Sequence, residues 1–304
     1  MQSAYIGKLM EIAEHDATVM HLLADSGTGY DEMFRYNFPK QIYNFGISEE
    51  NMVAAAAGMA SVGFTPFVYT AGAFLAYRSL EFIRDDICFQ NLNVKIVGMG
   101  SGLSWSSLGP THHTTEDIAV LRSIPNLMIF SPATPKQVTA CVQAAYEHKG
   151  PVYIRIGMNN EKEFFDENYT FTLGSNDVLQ ENGDISIFVT GSILEEAHVA
   201  TTYLTKEGYG INLINVPCIK PLDSNNILAM ARKSRKCFVI EEHNVLGGLG
   251  SALAEIFTTH GLGTPLCRLG LKDVFAAGYG THAAVRKANG IDGFSLYQQI
   301  KEKL

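Results

Sequence analysis

Two short stretches of this chain carry side chains able to move protons. In "GISEENM" (46–52), two adjacent acids, Glu49 and Glu50, lead straight into small apolar residues, "VAAAAGMASVGFTPFV". Ser48 can cap a helix here, and acids in a first turn gain roughly 0.3–1 kcal/mol each from the helix dipole. The same placement could instead hold a carboxylate at a helix N-terminus beside a bound heterocycle. In "GPTHHTTED" (109–117), His112 and His113 stand just before "DIAVLRSIPN". Polar residues between a strand and a helix are where α/β sheets build their sites. The bland alternative is a loop in which Thr114 or Thr115 caps the next helix. Two further stretches are less specific. "ADSGTG" (24–29) ends a strand at Asp25 or simply turns. "GGLGS" (247–251) is a phosphate loop or a tightly packed turn, with no Lys following as in a P-loop.

Such residues need a scaffold, and the apolar pattern predicts one. "ATVMHLLAD", "TPFVYT", "NVKIVGMG", "LMIFSPA" and "PVYIRIG" read as strands. "ENMVAAAAGMASVG", "YRSLEFIRDDICFQN" and "PKQVTACVQAAYEHKG" read as helices among them. Residues 158–182 are polar, acidic and turn-rich. The pattern then restarts with "ISIFVTGS", "EEAHVATTYLTKEG", "INLINV", "NNILAMARKS" and "KCFVIEEH". This βα alternation predicts an α/β protein of two domains, each a mainly parallel sheet flanked by helices. The expected boundaries are 1–160, a linker over 161–182, and 183–304.

Bulk properties narrow the function class. The chain has 304 residues, 46% of them hydrophobic, enough for a sizeable core. A net charge of −8 without a basic cluster argues against nucleic acid as a partner. No apolar run is long enough to span a bilayer, which argues against a membrane partner. Five cysteines are scattered singly, a pattern that fits reduced thiols in a cytoplasm.

Taken in order, "LAD" (23–25), "GISEENM", "GFTPFV" (63–68), "GPTHH", "LRSIPN" (121–126), "SPATP" (131–135), "GPVYIR" (150–155), "IKPLD" (219–223) and "EEHNVLGGLGS" (241–251) resemble the transketolase family of thiamine-diphosphate enzymes. The match is to the family's pyrimidine-binding and C-terminal domains and covers nearly the whole chain. The last segment is also similar to that of the deoxyxylulose-phosphate synthases.

The resemblance implies roles for single residues. Glu49, rather than Glu50, holds the "GIxE" position, whose acid hydrogen-bonds N1′ of the cofactor's aminopyrimidine and drives its imino tautomer. Phe74 and Tyr77 match the aromatic residues packed on the pyrimidine. Ile47 matches an apolar residue near the bent cofactor, and Asp25 an acid close to it. His112 matches the histidine of "PTH" that reaches the reacting oxygens, which makes Glu49 and His112 the expected catalytic pair. His113 stands where the family usually has Gln.

Departures from the family matter equally. Its diphosphate and Mg²⁺ are held by a "GDG" and a downstream Asn, and no GDG occurs here. The resemblance therefore implies one subunit of a split transketolase. A partner chain, in an α₂β₂ assembly, would supply the metal and diphosphate half. The positions of the usual phosphate clamp fall on Gly7, Gly29, Gly100 and Met158, and Leu108 replaces an acid that reads a sugar hydroxyl. Three of these are glycines, which are expected to open space. Arg155, on a strand, is expected to face away from Met158. The expected reaction is transfer of a two-carbon ketol or related acyl-anion unit to a carbonyl acceptor, with a non-standard sugar or a small 2-oxo acid as substrate. The alternatives are the β chain of a 2-oxo-acid dehydrogenase decarboxylating component and a non-catalytic structural subunit.

Overall fold

A computed structural model describes residues 1–26 and 29–304. Its strands, in chain order, are β1 (Val19–Leu23), β2 (Ile42–Asn44), β3 (Thr65–Ala71), β4 (Lys95–Met99), β5 (Met128–Phe130), β6 (Val152–Ile156), β7 (Asp177–Glu181), β8 (Ile185–Thr190), β9 (Ile211–Asn215), β10 (Cys218–Lys220), β11 (Lys236–Asn244) and β12 (Leu266–Leu271). They form a seven-stranded sheet in the order β10-β5-β6-β4-β3-β1-β2 and a five-stranded sheet in the order β12-β11-β8-β9-β7. Each sheet is parallel except for one edge strand, β10 in the first and β7 in the second.

The strand sequences explain the layers. Side chains alternate across a strand. In β3, Phe67 and Tyr69 point into one apolar cluster while Val68 enters another. The first cluster lies under helices Gln2–Ala13 and Pro135–Glu147. The second lies under helix Glu49–Ser61 and also takes in Leu249, Leu253 and Phe257 from the C-terminal half, so the two domains share a core. A third cluster fills the outer face of the second sheet. Four of the five cysteines are core residues, and Cys267 is half-buried.

Two findings depart from the expected organisation. The segment read as a linker contributes β7, which pairs antiparallel with β9. Chain beyond β9 returns to the first sheet as β10, antiparallel to β5. Both short strands cover edges that would otherwise present unpaired backbone groups.

The strand order reverses at β1. The chain goes to β2 on one side and to β3 and β4 on the other, which opens a crevice at the C-terminal ends of β1 and β3. Ligands of open α/β sheets bind at such switch points. Asp25, Glu49, Phe74 and Gly100 all follow the C-terminal ends of strands on this edge.

A buried ion pair fixes the frame around this edge. Arg155 at the end of β6 donates through Nε to Asp117 Oδ2 at 2.8 Å, and Tyr153 donates its hydroxyl to the same oxygen at 2.7 Å. The Arg155 Nη2 donates to the carbonyls of Thr114 and Glu242, so one side chain ties β6 to a loop and to the second domain. Neither Arg155 nor Asp117 is free to meet a substrate. Arg155→Met leaves a buried carboxylate unpaired and is expected to cost about 3–5 kcal/mol in urea unfolding. Arg155→Met/Asp117→Leu should recover part of that loss. A single-variant loss below about 1 kcal/mol, as for a surface pair, would contradict this role.

Candidate active site

Helix Glu49–Ser61 starts where the chain leaves β2, and it places Glu49 in its first turn. The two adjacent acids differ sharply in setting. Glu49 is 1% exposed, whereas Glu50 is half-buried. The Ser48 side chain makes no cap bond, so the capping part of the bland reading fails and the acids alone answer the helix dipole.

After β3 the chain enters a π-helical turn over Phe74–Arg78. This wide turn brings residue 78 back over residue 74. The Arg78 guanidinium carbon lies 4.9 Å from the Phe74 ring centroid. Arg78 Nη1 also donates to Glu49 Oε2, an ion pair between a buried acid and a cation whose side chain is 38% exposed. π-turns inside helices are frequent at functional sites.

His112 completes the group. Its ring meets Phe74 edge-on at 5.0 Å between centroids, and Trp105 lies 6.1 Å away. The Thr111 hydroxyl is 3.0 Å from His112 Nδ1. That contact engages Nδ1 and leaves Nε2 available to meet an oxygen. The structure therefore brings together Glu49, Phe74 and His112, and it adds Arg78, which no sequence signal identified.

Other expected site residues lie around this group. Tyr77 turns its hydroxyl to Glu116, donating to Oε2 at 2.9 Å and accepting from the backbone N–H at 2.8 Å. Burial, then the nearby Asp117 and Glu116 charges, push the Tyr77 phenol well above its usual range, so it stays a neutral donor. Ile47, two residues before Glu49, is 77% exposed. Asp25 stands two residues past β1 with a left-handed backbone, φ 49°. Its amide donates to Asn44 Oδ1 at 3.1 Å, and Gly46 donates to the same oxygen, so one side chain ties the ends of β1 and β2 to the start of the site.

The vacated phosphate-clamp positions behave differently from one another. Gly7 and Gly29 face open space. Gly100 does not. A Cβ there would fall 2.1 Å from Trp105 Nε1, so the indole fills the space that the glycine was expected to open. The Trp105 Nε1–H has no hydrogen-bond partner among the described residues. Leu108 is exposed. His113 is 3% exposed, and both its ring nitrogens also lack partners among the described residues. Burial pushes its pKa down against the weaker pull of Glu242 and Glu116, which favours the neutral ring.

The second domain clamps the histidine loop from outside. Glu242 accepts from Leu103 N at 2.7 Å, from His282 Nε2 at 2.6 Å and from Arg286 Nε at 2.9 Å. Asn159 bridges Ser104 O and His282 Nδ1, and Ser106 bonds Gly280. Neither Thr114 nor Thr115 caps the following helix, because Thr114 instead pairs with Gly102 across the base of this loop. "GGLGS" is already occupied by the protein's own anion. Glu241 accepts from Leu249 N and Gly250 N at a helix N-terminus, and a Cβ on Gly248 would lie 2.0 Å from that carboxylate.

The half-site fits part of a thiamine cofactor. A buried carboxylate beside a flat aromatic face suits a planar amidine-like ring, and a planar guanidinium from the same chain already rests on both groups. Among the described residues, no three His, Cys, Asp or Glu side chains come together to hold a metal ion. A cleft of about 490 Å³ lies on the other face of the first sheet, beside Lys8 and Lys136, and contains none of these groups.

Comparison with known proteins bears on the fold and the family. Residues 1–161 match the family model of the transketolase pyrimidine-binding domain, and residues 174–293 that of the transketolase C-terminal domain. The chain is 33% identical over 292 residues to one of the subunits of the apulose-4-phosphate transketolase of Actinobacillus succinogenes, spanning 96% of this chain and 94% of that one. It is also 33% identical over 276 residues to the 6-deoxy-6-sulfo-D-fructose transketolase subunit SqwH of a Clostridium species, spanning 90% and 85%. A solved split-gene transketolase, described as an inactive β4 tetramer, superposes with a TM-score of 0.89 at 32% identity, covering 99% of this chain and 96% of that one.

The Glu242 clamp yields a pH prediction. Burial alone would raise its carboxyl, but Arg286 and His282 outweigh burial and hold it well below the usual carboxylate range. A depressed folded-state pKa adds stability above the unfolded value, near 4.5, and that stability is lost as pH falls below it. Glu242→Gln should therefore lower stability at neutral pH and flatten the acid limb of the stability curve. Amide exchange at Leu103 should also accelerate. Unchanged Leu103 protection in the folded variant would show that Glu242 does not hold the loop.

Proposed function

Since this chain belongs to the transketolase family, we propose that it is the pyrimidine-binding and C-terminal subunit of a heteromeric enzyme transferring a two-carbon ketol unit to a carbonyl acceptor. The observation that carries this reading is the buried Glu49 carboxylate, joined through Arg78 to the face of Phe74, which packs beside His112. Thiamine diphosphate, when bound, supplies a nucleophilic carbon and stores the electron pair of the broken C–C bond.

The side chains of this subunit supply the rest. Glu49 would hydrogen-bond the pyrimidine N1′, and its dry setting would strengthen that bond. Phe74 keeps the ring flat, while Ile47 and Asp25 flank it. Tyr77, its hydroxyl held by Glu116, forms the outer lip of the aromatic wall. His112 donates Nε2–H to the oxygen on the reacting carbon. A partner chain supplies Mg²⁺ and the diphosphate site, and an α₂β₂ assembly in the cytoplasm brings the halves together. The free thiols of all five cysteines support a reducing compartment.

The substrate is read from what the site lacks. Gly7, Gly29, Gly100 and Met158 offer no cation where a phosphate clamp would sit, and Trp105 fills the third position with a single neutral N–H. Charge-assisted bonds to a terminal dianion are therefore missing at these four positions. At least one substrate is a sugar that is modified, larger, or without a phosphate gripped in the usual way. Leu108, in place of an acid, weakens selection for a hydroxyl beside the reacting carbon. The names of two relatives carry atypical sugars, apulose 4-phosphate and a sulfo sugar, which supports this direction.

Two measurements test the reading. In the reconstituted pair, Glu49→Gln should slow deuterium exchange at the cofactor's C2 and reduce turnover by orders of magnitude, while Glu50→Gln should do far less. Equal behaviour of the two variants would refute the assignment of Glu49. On substrates, xylulose 5-phosphate with ribose 5-phosphate should be poor compared with unphosphorylated or modified donors. A kcat/KM of about 10⁴–10⁸ M⁻¹s⁻¹ on the simple pentose phosphates would overturn the specificity.

A further inference from the structure

A carboxylate is not buried without a partner or a proton. Glu49 is 1% exposed, and its ion-pair partner is Arg78. The same guanidinium covers the face of Phe74 at 4.9 Å. Arg78 thus engages the two groups that the proposed function assigns to the aminopyrimidine.

The chemistry of the two occupants is alike. A guanidinium is a planar cation that offers N–H donors from an N–C–N edge and stacks on aromatic rings. An aminopyrimidine protonated at its ring nitrogen is also a planar, delocalised amidinium that presents N–H to a carboxylate and stacks. Both cannot lie on the same face of Phe74 while bonding the same carboxylate oxygen.

We propose that Arg78 is an internal placeholder for the aminopyrimidine. It seats its guanidinium on Glu49 and Phe74 in the free subunit, and it must swing out for the cofactor to bind. This inference rests on the proposed function of the site.

Its geometry suits departure. The Arg78 side chain is already 38% exposed, so its charge can return to water, whereas the buried Glu49 cannot follow. The arrangement disfavours one state above others, an empty pocket with Glu49 bare. Loading therefore exchanges one planar donor for another: the guanidinium leaves with its charge, and one proton taken up from water, shared between the ring nitrogen and Glu49, keeps the carboxylate paired. Affinity in the free subunit is reduced by the fraction of time the guanidinium is in place. A cofactor held at its other end by a partner chain overcomes that competition, and a stray pyrimidine does not.

The test uses the full chain alone, with thiamine as the probe so that no diphosphate site is needed. Ligand-observed NMR titration gives the dissociation constant for wild type, Arg78→Met, Arg78→Gln, Glu49→Gln and Phe74→Ala. If Arg78 covers the site more than nine-tenths of the time, removing it tightens thiamine binding by about tenfold or more. Millimolar methylguanidinium should then compete with thiamine in Arg78→Met far more strongly than in wild type. Arg78→Gln guards against a folding failure, because its amide can still hydrogen-bond Glu49 without the stacked charge. Thiamine binding in the Arg78 variants that is equal to wild type, weaker or absent overturns the placeholder and makes Arg78 a fixed support of Glu49. If the Arg78 variants bind tighter but Glu49→Gln and Phe74→Ala bind as wild type does, the site assignment itself fails and the inference falls with it.

Discussion

A buried acid must find a partner, and four of the buried acids among the described residues show how this chain answers that demand. Asp117 is met by Arg155, Glu242 by Arg286 and His282, Glu241 by two amides at a helix N-terminus, and Glu49 by Arg78. The first three partners are buried with their acids, so removing any of them would strand a charge and the contact is permanent. Of these partners, Arg78 alone keeps more than a third of its side chain in water. Charge compensation is the same in each case, but only at Glu49 can the compensating group be exchanged. That difference separates a site from a strut.

The second domain matters to the chemistry through one loop. His112 sits in a segment, residues 100–113, with little regular structure of its own. Left alone, such a loop would sample many conformations and would not hold an imidazole within reach of a reacting atom. Glu242, His282 and Asn159 brace it through its backbone, and the Trp105 indole packs flush against Gly100, whose left-handed φ of +78° lets the chain turn there. The two domains also share an apolar core. The C-terminal domain therefore holds the histidine loop in register through Glu242.

Local patterns in the sequence carried the sheet and most helices, because β3, β4 and β6 are buried on both faces and read as continuous apolar runs. Short edge strands escaped notice. Cys218–Lys220 is three residues long, and Asp177–Glu181 is polar enough to pass for linker. The first helix, Gln2–Ala13, left no clear start signal, and its cap residue makes no side-chain bond. Ordered motifs pointed to Glu49, Phe74 and His112, yet nothing local could pair Glu49 with Arg78 across 29 residues or bring Glu242 to Leu103 across 139. Gly100 shows the same limit in reverse. A missing side chain reads as open space in one dimension, but Trp105 fills it in three.

On the proposed division of labour, this chain grips one end of a long cofactor and its partner grips the other. Each grip alone is weak. Held together, the second contact becomes intramolecular, and its strength is set by the effective concentration that the first contact creates. Assembly and loading are then linked, since whatever favours the two-ended grip favours the paired chains by the same factor. A half-enzyme made this way gains from being a poor binder by itself. Exposed Ile47 and Leu108, and a resident cation over the Phe74 ring, meet that requirement. The acid stays paired and dry, the ring stays covered, and the reactive arrangement forms only where the second half is present to complete it.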